Sequence, residues 1–394
     1  MSASSVKRIT GSRKDRWALK GLYFFQFAAV GQFFTFVNVY YRGIGLSGTQ
    51  IGLVGTLGGL VGIFSTALWG LLSDRFGKTR LLFLSAVLGA MLAVMGLSAA
   101  GTFFWIILAA CTLALFNSAL SPLLDSTTLA LLGEQRQRYG SFRVWGSIGF
   151  IITSSVIGII YERMGLHSMF AGYAMIMGLF LIVAMFLPDQ PIHLSGSLLR
   201  GLNDMVRQPL WMLFALSVFF LWLANSGTMA FISVTIKAMG GSDRLIGLSW
   251  TTAAIAELPV MVFSGALLRK FGAVRLLFVS FLGYFFRIFL YALMPSPTWA
   301  PVIGTLNAVS FVPFWVSAVT YASELAPPSL RATAQGLLFS VMSLSNVVGA
   351  LFSGWLFDQI GPQGLFVTLA GSCVVAFMLF GIGQWVLRKK LAGS

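Results

Sequence analysis

Four side chains carry formal charge inside stretches otherwise too apolar to dissolve them: Asp125, Arg143, Glu257 and Arg287. A charge in such a segment is costly, and where it persists it marks a partner or a polar cargo. Asp125 lies in Ser-Pro-Leu-Leu-Asp-Ser. Arg143 follows eighteen residues later, in Tyr139-Gly-Ser-Phe-Arg-Val-Trp-Gly-Ser-Ile-Gly-Phe150. Glu257 lies in Ala-Ala-Ile-Ala-Glu-Leu-Pro and Arg287 in Tyr-Phe-Phe-Arg-Ile. Each half of the chain thus offers one carboxylate, which can take up and release a proton, and one arginine. The arginine can donate to a carboxylate or a hydroxyl but does not titrate at working pH. The competing reading is two structural ion pairs that fix helix packing, and desolvation offsets much of what such pairs contribute. Asn38, Asn117, Asn225 and Asn307 add uncharged hydrogen-bonding groups in the same apolar stretches.

The elements that must position these groups follow from composition. Of 394 residues, 57% are hydrophobic and 9% charged, against about a quarter charged in soluble domains. A chain so poor in charge cannot cover a water-facing surface, whereas one dissolved in lipid need not. A membrane-crossing helix takes about 20 apolar residues. On that measure the sequence predicts twelve spans, at 17–41, 48–72, 80–100, 102–127, 141–161, 166–187, 210–235, 245–268, 274–294, 298–323, 330–357 and 363–388. The stretch 188–209, with Pro188, Pro191, His193, Ser195 and Gly196, predicts a polar linker between an N-terminal six-helix bundle at 1–187 and a C-terminal one at 210–394. The start of the chain is polar and basic and does not read as a signal peptide.

The charges orient the spans. Of the 26 Lys and Arg residues, 20 fall in the N-terminal segment, the C-terminal segment and the connections on the same side as both. Four, Arg42, Arg163, Lys237 and Arg244, fall on the other side. Positive charge collects inside, so both termini are expected in the cytoplasm, in a bacterial inner membrane. The net charge of +15 follows from that topology and from anionic headgroups. Nucleic acid is a poor partner for cations scattered over separate segments. Two cysteines, Cys111 and Cys373, are too few for a disulfide framework. The two histidines fall in or near polar connections with no metal-ligand spacing, so neither a metal nor a cofactor is expected.

Two polar turns repeat. Residues 70–80 read Gly-Leu-Leu-Ser-Asp-Arg-Phe-Gly-Lys-Thr-Arg, and residues 265–275 read Gly-Ala-Leu-Leu-Arg-Lys-Phe-Gly-Ala-Val-Arg, 195 positions on. A second echo, offset by 196, pairs Gly158, Glu162 and Gly165 with Gly354, Asp358 and Gly361. Internal repeats in a very apolar chain are the mark of a transporter built from duplicated halves. Glu324 stands at the inner end of the tenth span, before Pro327 and Pro328, and Arg331 opens the eleventh. Glu324 can pair with Arg269 or Lys270 of the facing turn.

The 70–80 turn, with Gly70, Asp74, Arg75, Gly77 and Arg80, resembles the commonest signature of the major facilitator superfamily. The resemblance implies an all-α membrane protein of two pseudo-symmetric six-helix bundles, with these residues, Arg269, Lys270, Glu324 and Arg331 closing the cytoplasmic side. Arg143-Val-Trp-Gly-Ser-Ile-Gly-Phe150 with Asp125 is similar to the sugar-site motif of the lactose permease branch, and still more to its phenylpropionate-permease relatives. Tyr41-Arg-Gly-Ile-Gly-Leu-Ser47 is a further match. The resemblance implies substrate contacts from Asp125 and Arg143 in one half and from Glu257 and Arg287 in the other. Phe150 stands where that branch stacks sugar on tryptophan, which keeps the ring face and loses the indole donor. Asn307-Ala-Val-Ser310 stands where a His-x-x-Glu pair couples protons, so coupling falls on Glu257 or Asp125. The expected activity is proton-coupled uptake of a small organic solute, an aromatic or other carboxylate or a sugar, by a monomer. Drug efflux by antiport is the alternative, weakened by the absence of proline in 141–161. A receptor or scaffold is the alternative outside transport, and the intramembrane charges speak against it. No nucleophile–base set suggests an enzyme.

Overall fold

The computed structural model of the chain describes residues 12–76, 78–187 and 208–392, and among them it is helical without strands. Among the described residues, nine helices are long and apolar enough to cross a membrane, and Ser168–Ala184 is a shorter apolar one. The first span is composite: α1 (Arg13–Ala29) passes through a π-helical turn at Val30–Phe34 into α2 (Val37–Gly43). Ser12 and Asp15 form a reciprocal cap at its start. There follow α3 (Gly48–Phe76), α4 (Thr79–Ser98), α5 (Phe103–Asn117), α6 (Leu120–Leu132), α7 (Tyr139–Met164) and α8 (Ser168–Ala184). After the linker come α9 (Pro209–Ala238), α10 (Asp243–Ala292), the short α11 (Ala300–Gly304), α12 (Asn307–Glu324) and α13 (Arg331–Ala392).

Two expected connections are thinner than the sequence suggested. The eighth and ninth spans run together as α10, and the eleventh and twelfth as α13. Each is interrupted by one glycine with non-helical backbone, Gly272 (φ 75°) and Gly361 (φ 70°). Both lie in the left-handed region, where a side chain is disfavoured, so a single glycine makes each corner. The predicted linker at 188–209 lies outside the described residues except for its last two positions.

The chain divides into two compact units. Unit 1 holds 1–34, 60–154 and 164–195, and unit 2 holds 35–59, 155–163 and 196–394. In unit 1, Phe33 packs on Phe170 and Tyr173, and Phe83 on Phe180. Trp69 Nε1 donates to the Leu115 carbonyl at 2.8 Å, closing α3 on α5. In unit 2, Phe214, Tyr321, Phe278 and Phe281 surround Phe380. Large apolar side chains such as Phe64, Leu92, Val262 and Met378 stand exposed. This is how a chain with a hydrocarbon solvent is built, since it gains nothing by hiding them.

Candidate functional site

In unit 1 the acid and the arginine on consecutive helices have separate partners. Tyr23 Oη donates to Asp125 Oδ1 at 2.6 Å, and Tyr139 Oη donates to the same oxygen at 2.9 Å. The carboxylate of α6 is therefore held by hydroxyls from α1 and α7. The guanidinium carbon of Arg143 lies 3.8 Å from the centroid of the Phe27 ring, a cation–π contact. No ion pair joins Asp125 to Arg143; among the described residues the ion pair is Lys237 with Asp243, at 2.7 Å.

Glycines in the Arg143 motif make this arrangement possible. A Cβ on Gly146 would meet the Phe27 ring at 2.7 Å and an Arg143 guanidinium nitrogen at 2.8 Å. A Cβ on Gly149 would meet the Phe24 carbonyl oxygen at 2.2 Å, so α7 and α1 touch backbone to backbone there. Phe150 is half-buried, and its ring and backbone lie against Gly31 in the π-helical turn. That turn sits where single extra residues in a helix often serve function. Gln26, one turn of helix from Tyr23, donates to Ser121 at 2.6 Å, while its own carbonyl oxygen is buried without a partner.

Unit 2 repeats the chemistry with amides in place of tyrosines. Asn307 Nδ2 on α12 donates to Glu257 Oε1 on α10. Arg287 is almost wholly buried and donates to Asn225 Oδ1 of α9 at 3.2 Å, with its guanidinium carbon 4.8 Å from the Tyr284 ring centroid. Arg287 Nε and Asn307 Oδ1 are buried with no hydrogen-bond partner. Such atoms are costly to leave unpaired and are the natural places for a ligand or a water to bond. Trp222 and Asn225 lie one turn apart on α9, and Trp222 stacks on Phe314 with centroids 5.4 Å apart. Asn38 donates to the Ala230 carbonyl at 2.9 Å, which ties α2 to α9 and leaves Asn38 outside the Glu257 and Arg287 contacts.

The residues of the two repeated turns, with Glu324 and Arg331, are placed as follows. Gly70 is half-buried within α3, and Arg75 is exposed. The Asp74 side chain and Gly77 lie outside the described residues. Arg80 Nε donates to the Leu187 carbonyl just beyond the end of α8, where a cation complements the helix dipole. Arg269, Lys270, Glu324 and Arg331 are all exposed. Lys270 lies over the Phe271 ring, 5.3 Å from its centroid, and no ion pair joins Glu324 to Arg269 or Lys270.

Sequence reasoning picked out the four charges and missed the groups that hold them: Tyr23, Phe27 and Tyr284. Tyr139 carried a signal, since it stands four residues before Arg143 and so shares its helix face. No metal-holding cluster of His, Cys, Asp and Glu occurs among the described residues.

The sequence model of the MFS_1 like family matches residues 16–368. The chain is 30% identical over 382 residues to the maltose permease of Geobacillus stearothermophilus, which covers 94% of this chain and 95% of that one. It is 26% identical over 378 residues to the probable 3-phenylpropionic acid transporter of Escherichia coli (strain K12), covering 93% and 97%. The crystal structure of the nucleoside transporter NupG is similar in fold, with a TM-score of 0.84 at 18% identity over 93% of this chain and 98% of that one. With a matching family over most of its length, relatives that are transporters and not enzymes, and an all-helical apolar fold, this chain belongs to the MFS_1 like family of major facilitator transporters and is a multi-pass membrane protein.

Proposed function

We propose that the protein is a proton-coupled symporter that imports a small organic solute bearing a carboxylate. It works by alternating access between two six-helix bundles of twelve spans in all, as a monomer in a bacterial inner membrane, with both termini cytoplasmic. One observation carries this reading: each unit holds an acid and an arginine, on α6 and α7 in unit 1 and on either side of the Gly272 corner of α10 in unit 2, and neither acid is paired with its arginine. Arg143 and Arg287 therefore keep guanidinium donors for an anionic or hydroxyl-bearing solute. Asp125 and Glu257 are held by neutral donors, so each can take a proton without breaking an ion pair. Glu257 is the proton site, and Asp125 with Arg143 belongs to the solute. Asn225, Asn307 and Phe150 complete the binding surfaces, and Asn38 supports them through α9. The turns of Gly70, Asp74, Arg75, Gly77, Arg80, Arg269, Lys270, Glu324 and Arg331 act as the cytoplasmic gate.

Similarity to a relative named for 3-phenylpropionic acid supports a carboxylate, and the partnerless Arg287 Nε suits it. A sugar is the second reading. It is favoured by similarity to a maltose permease and by the half-buried Phe150, a ring face on which a pyranose can stack.

The test is uptake into proteoliposomes of aryl carboxylates, maltose and glucosides, with and without an imposed pH gradient. The reading expects gradient-driven accumulation of a carboxylate. Accumulation of sugar alone selects the second reading, and accumulation unaffected by the pH gradient removes proton coupling.

A further inference from the structure

The pattern Gly, three residues, a charged residue, two residues, Gly occurs five times, and four of these pair across the halves at offsets of 195 and 196: Gly70–Asp74–Gly77, Gly158–Glu162–Gly165, Gly265–Arg269–Gly272 and Gly354–Asp358–Gly361. The first and third are the cytoplasmic turns. The second and fourth fall on the opposite side, at the ends of helical runs, and the function described so far leaves them unused. Gly165 (φ 79°) and Gly361 (φ 70°) make the chain reversals. The acid of each outer copy is bonded to the first turn of another helix.

Asp358 holds the start of α3. Gly48 N donates to Asp358 Oδ1 at 2.6 Å, and Thr49 N and Thr49 Oγ1 both donate to Asp358 Oδ2 at 2.7 Å. The next amide, Gln50 N, is satisfied locally by Ser47 Oγ at 3.1 Å. Three of the donors that a helix start leaves free are thus met, two of them by a residue 309 and 310 positions away. Glu162 holds the start of α10: Arg244 N donates to its Oε1 at 3.1 Å, beside the local cap from Ser242. The dipole of each helix start favours the carboxylate.

The glycine of each outer copy sets the approach. A Cβ on Gly354 would meet the Gly48 carbonyl oxygen at 2.2 Å, and one on Gly158 would meet the Asp243 carbonyl oxygen at 2.4 Å. Further along, Thr56 Oγ1 donates to the Val347 carbonyl at 2.7 Å, and the Ser155 and Thr251 hydroxyls bond at 3.0 Å. These contacts gather 48–59 and 155–163 into unit 2, although α3 and α7 continue into unit 1.

We propose that Asp358 and Glu162 are positioning residues of the transport cycle, each fastening a helix start in trans so that the outer segments 48–59 and 155–163 stay docked, and that releasing these two caps accompanies outward opening. The proposal rests on the alternating-access reading and the orientation given above. It is a mirrored use of the glycine–charge–glycine turn, with the caps on the outer face. Both acids are exposed, so their removal opens no buried hole.

The experiment uses the full-length protein in right-side-out vesicles, with Cys111 and Cys373 replaced by alanine and a reporter cysteine at Ile51, which is buried beside Gly48. The readout is the labelling rate with a membrane-impermeant maleimide and no solute present. Loss of one N-terminal cap changes an equilibrium about fivefold, so D358A and E162A should each raise the rate about fivefold and the double variant more than either. Unchanged labelling in the double variant overturns the proposal. Should either alanine variant fail to fold, a T49C/D358C pair gives a second reading: oxidation should suppress labelling at residue 51 and reductant should restore it, and labelling indifferent to oxidation overturns the proposal. Solute uptake is scored separately. A protein that labels as expected but concentrates no solute contradicts the symport reading and leaves the caps standing.

Discussion

Asn307 on α12 donates its amide hydrogen to the Glu257 carboxylate on α10, fifty residues away. The donor is neutral and cannot itself titrate, so any proton exchanged at this contact belongs to Glu257. Arg287 is near but bonds Asn225, which leaves Glu257 without an ion pair to stabilise its charge. Glu257→Gln is therefore expected to abolish accumulation of solute against its gradient while leaving solute–solute exchange intact. Uptake and counterflow in the same proteoliposomes measure the two. If E257Q still accumulates solute and Asp125→Asn does not, the roles of the acids are reversed.

The two tyrosines on Asp125 set its orientation. A hydrogen bond to a charged group contributes about 1.5–3 kcal/mol, so removing one should weaken solute binding by roughly tenfold or more if the carboxylate takes part. Tyr23→Phe and Tyr139→Phe are each expected to raise the apparent KM by that order, with proton-driven accumulation retained at saturating solute. An unchanged KM in both variants removes Asp125 from the solute site.

Gly146 tests the Arg143–Phe27 contact without touching either residue. A methyl there must displace the ring or the guanidinium, and overpacking of this kind costs about 1–3 kcal/mol. Gly146→Ala should lower uptake about tenfold, as binding free energy of that size implies. Gly140 lies on the same helix, and a Cβ there meets nothing within 4 Å, so Gly140→Ala should transport normally. Equal behaviour of the two variants would remove the contact from the transport mechanism.

Asp74→Asn addresses the proposed gate turn. The residue lies in the last turn of α3, on a different helix from Asp125 and Arg143, so it is expected to bias the open–closed equilibrium and not solute recognition. The expected result is slowed transport with solute affinity within about twofold of the parent, since equal binding to both states shifts no equilibrium. Lost affinity with a normal conformational cycle contradicts this.

Orientation is testable independently. Reporter fusions after residue 200 and after residue 394 are expected to report a cytoplasmic location, given 20 cations on one side and four on the other. An external reporter at either point overturns that topology.

Much of this protein is written in one dimension. Apolar runs of about 20 residues locate membrane helices without tertiary information, because a span in lipid must satisfy its own backbone. The four charges stood out for the same reason, since each is expensive in its run. The 195-residue repeat and the motif around Arg143 pointed to the family that the comparisons show. Gly272 and Gly361 were legible as turn residues, but not as one-residue corners that let α10 and α13 run nearly unbroken.

The partners of the charges were not legible, because a partner is fixed by which helix faces meet and not by spacing along the chain. Spacing suggested Asp125 against Arg143; packing gave Asp125 to Tyr23 and Tyr139, and Arg143 to Phe27, once Gly146 and Gly149 let α7 close on α1. Spacing likewise left Glu162 and Asp358 as a faint echo. Only the folded chain brings them to the amides of Arg244, Gly48 and Thr49, 82, 310 and 309 residues away. Sequence determined the solvent, the spans and the costly groups, because those follow from local transfer energies. Tertiary structure decided which hydrogen bonds satisfy those groups, because helix starts and side-chain donors become neighbours only when backbones approach closely enough to touch.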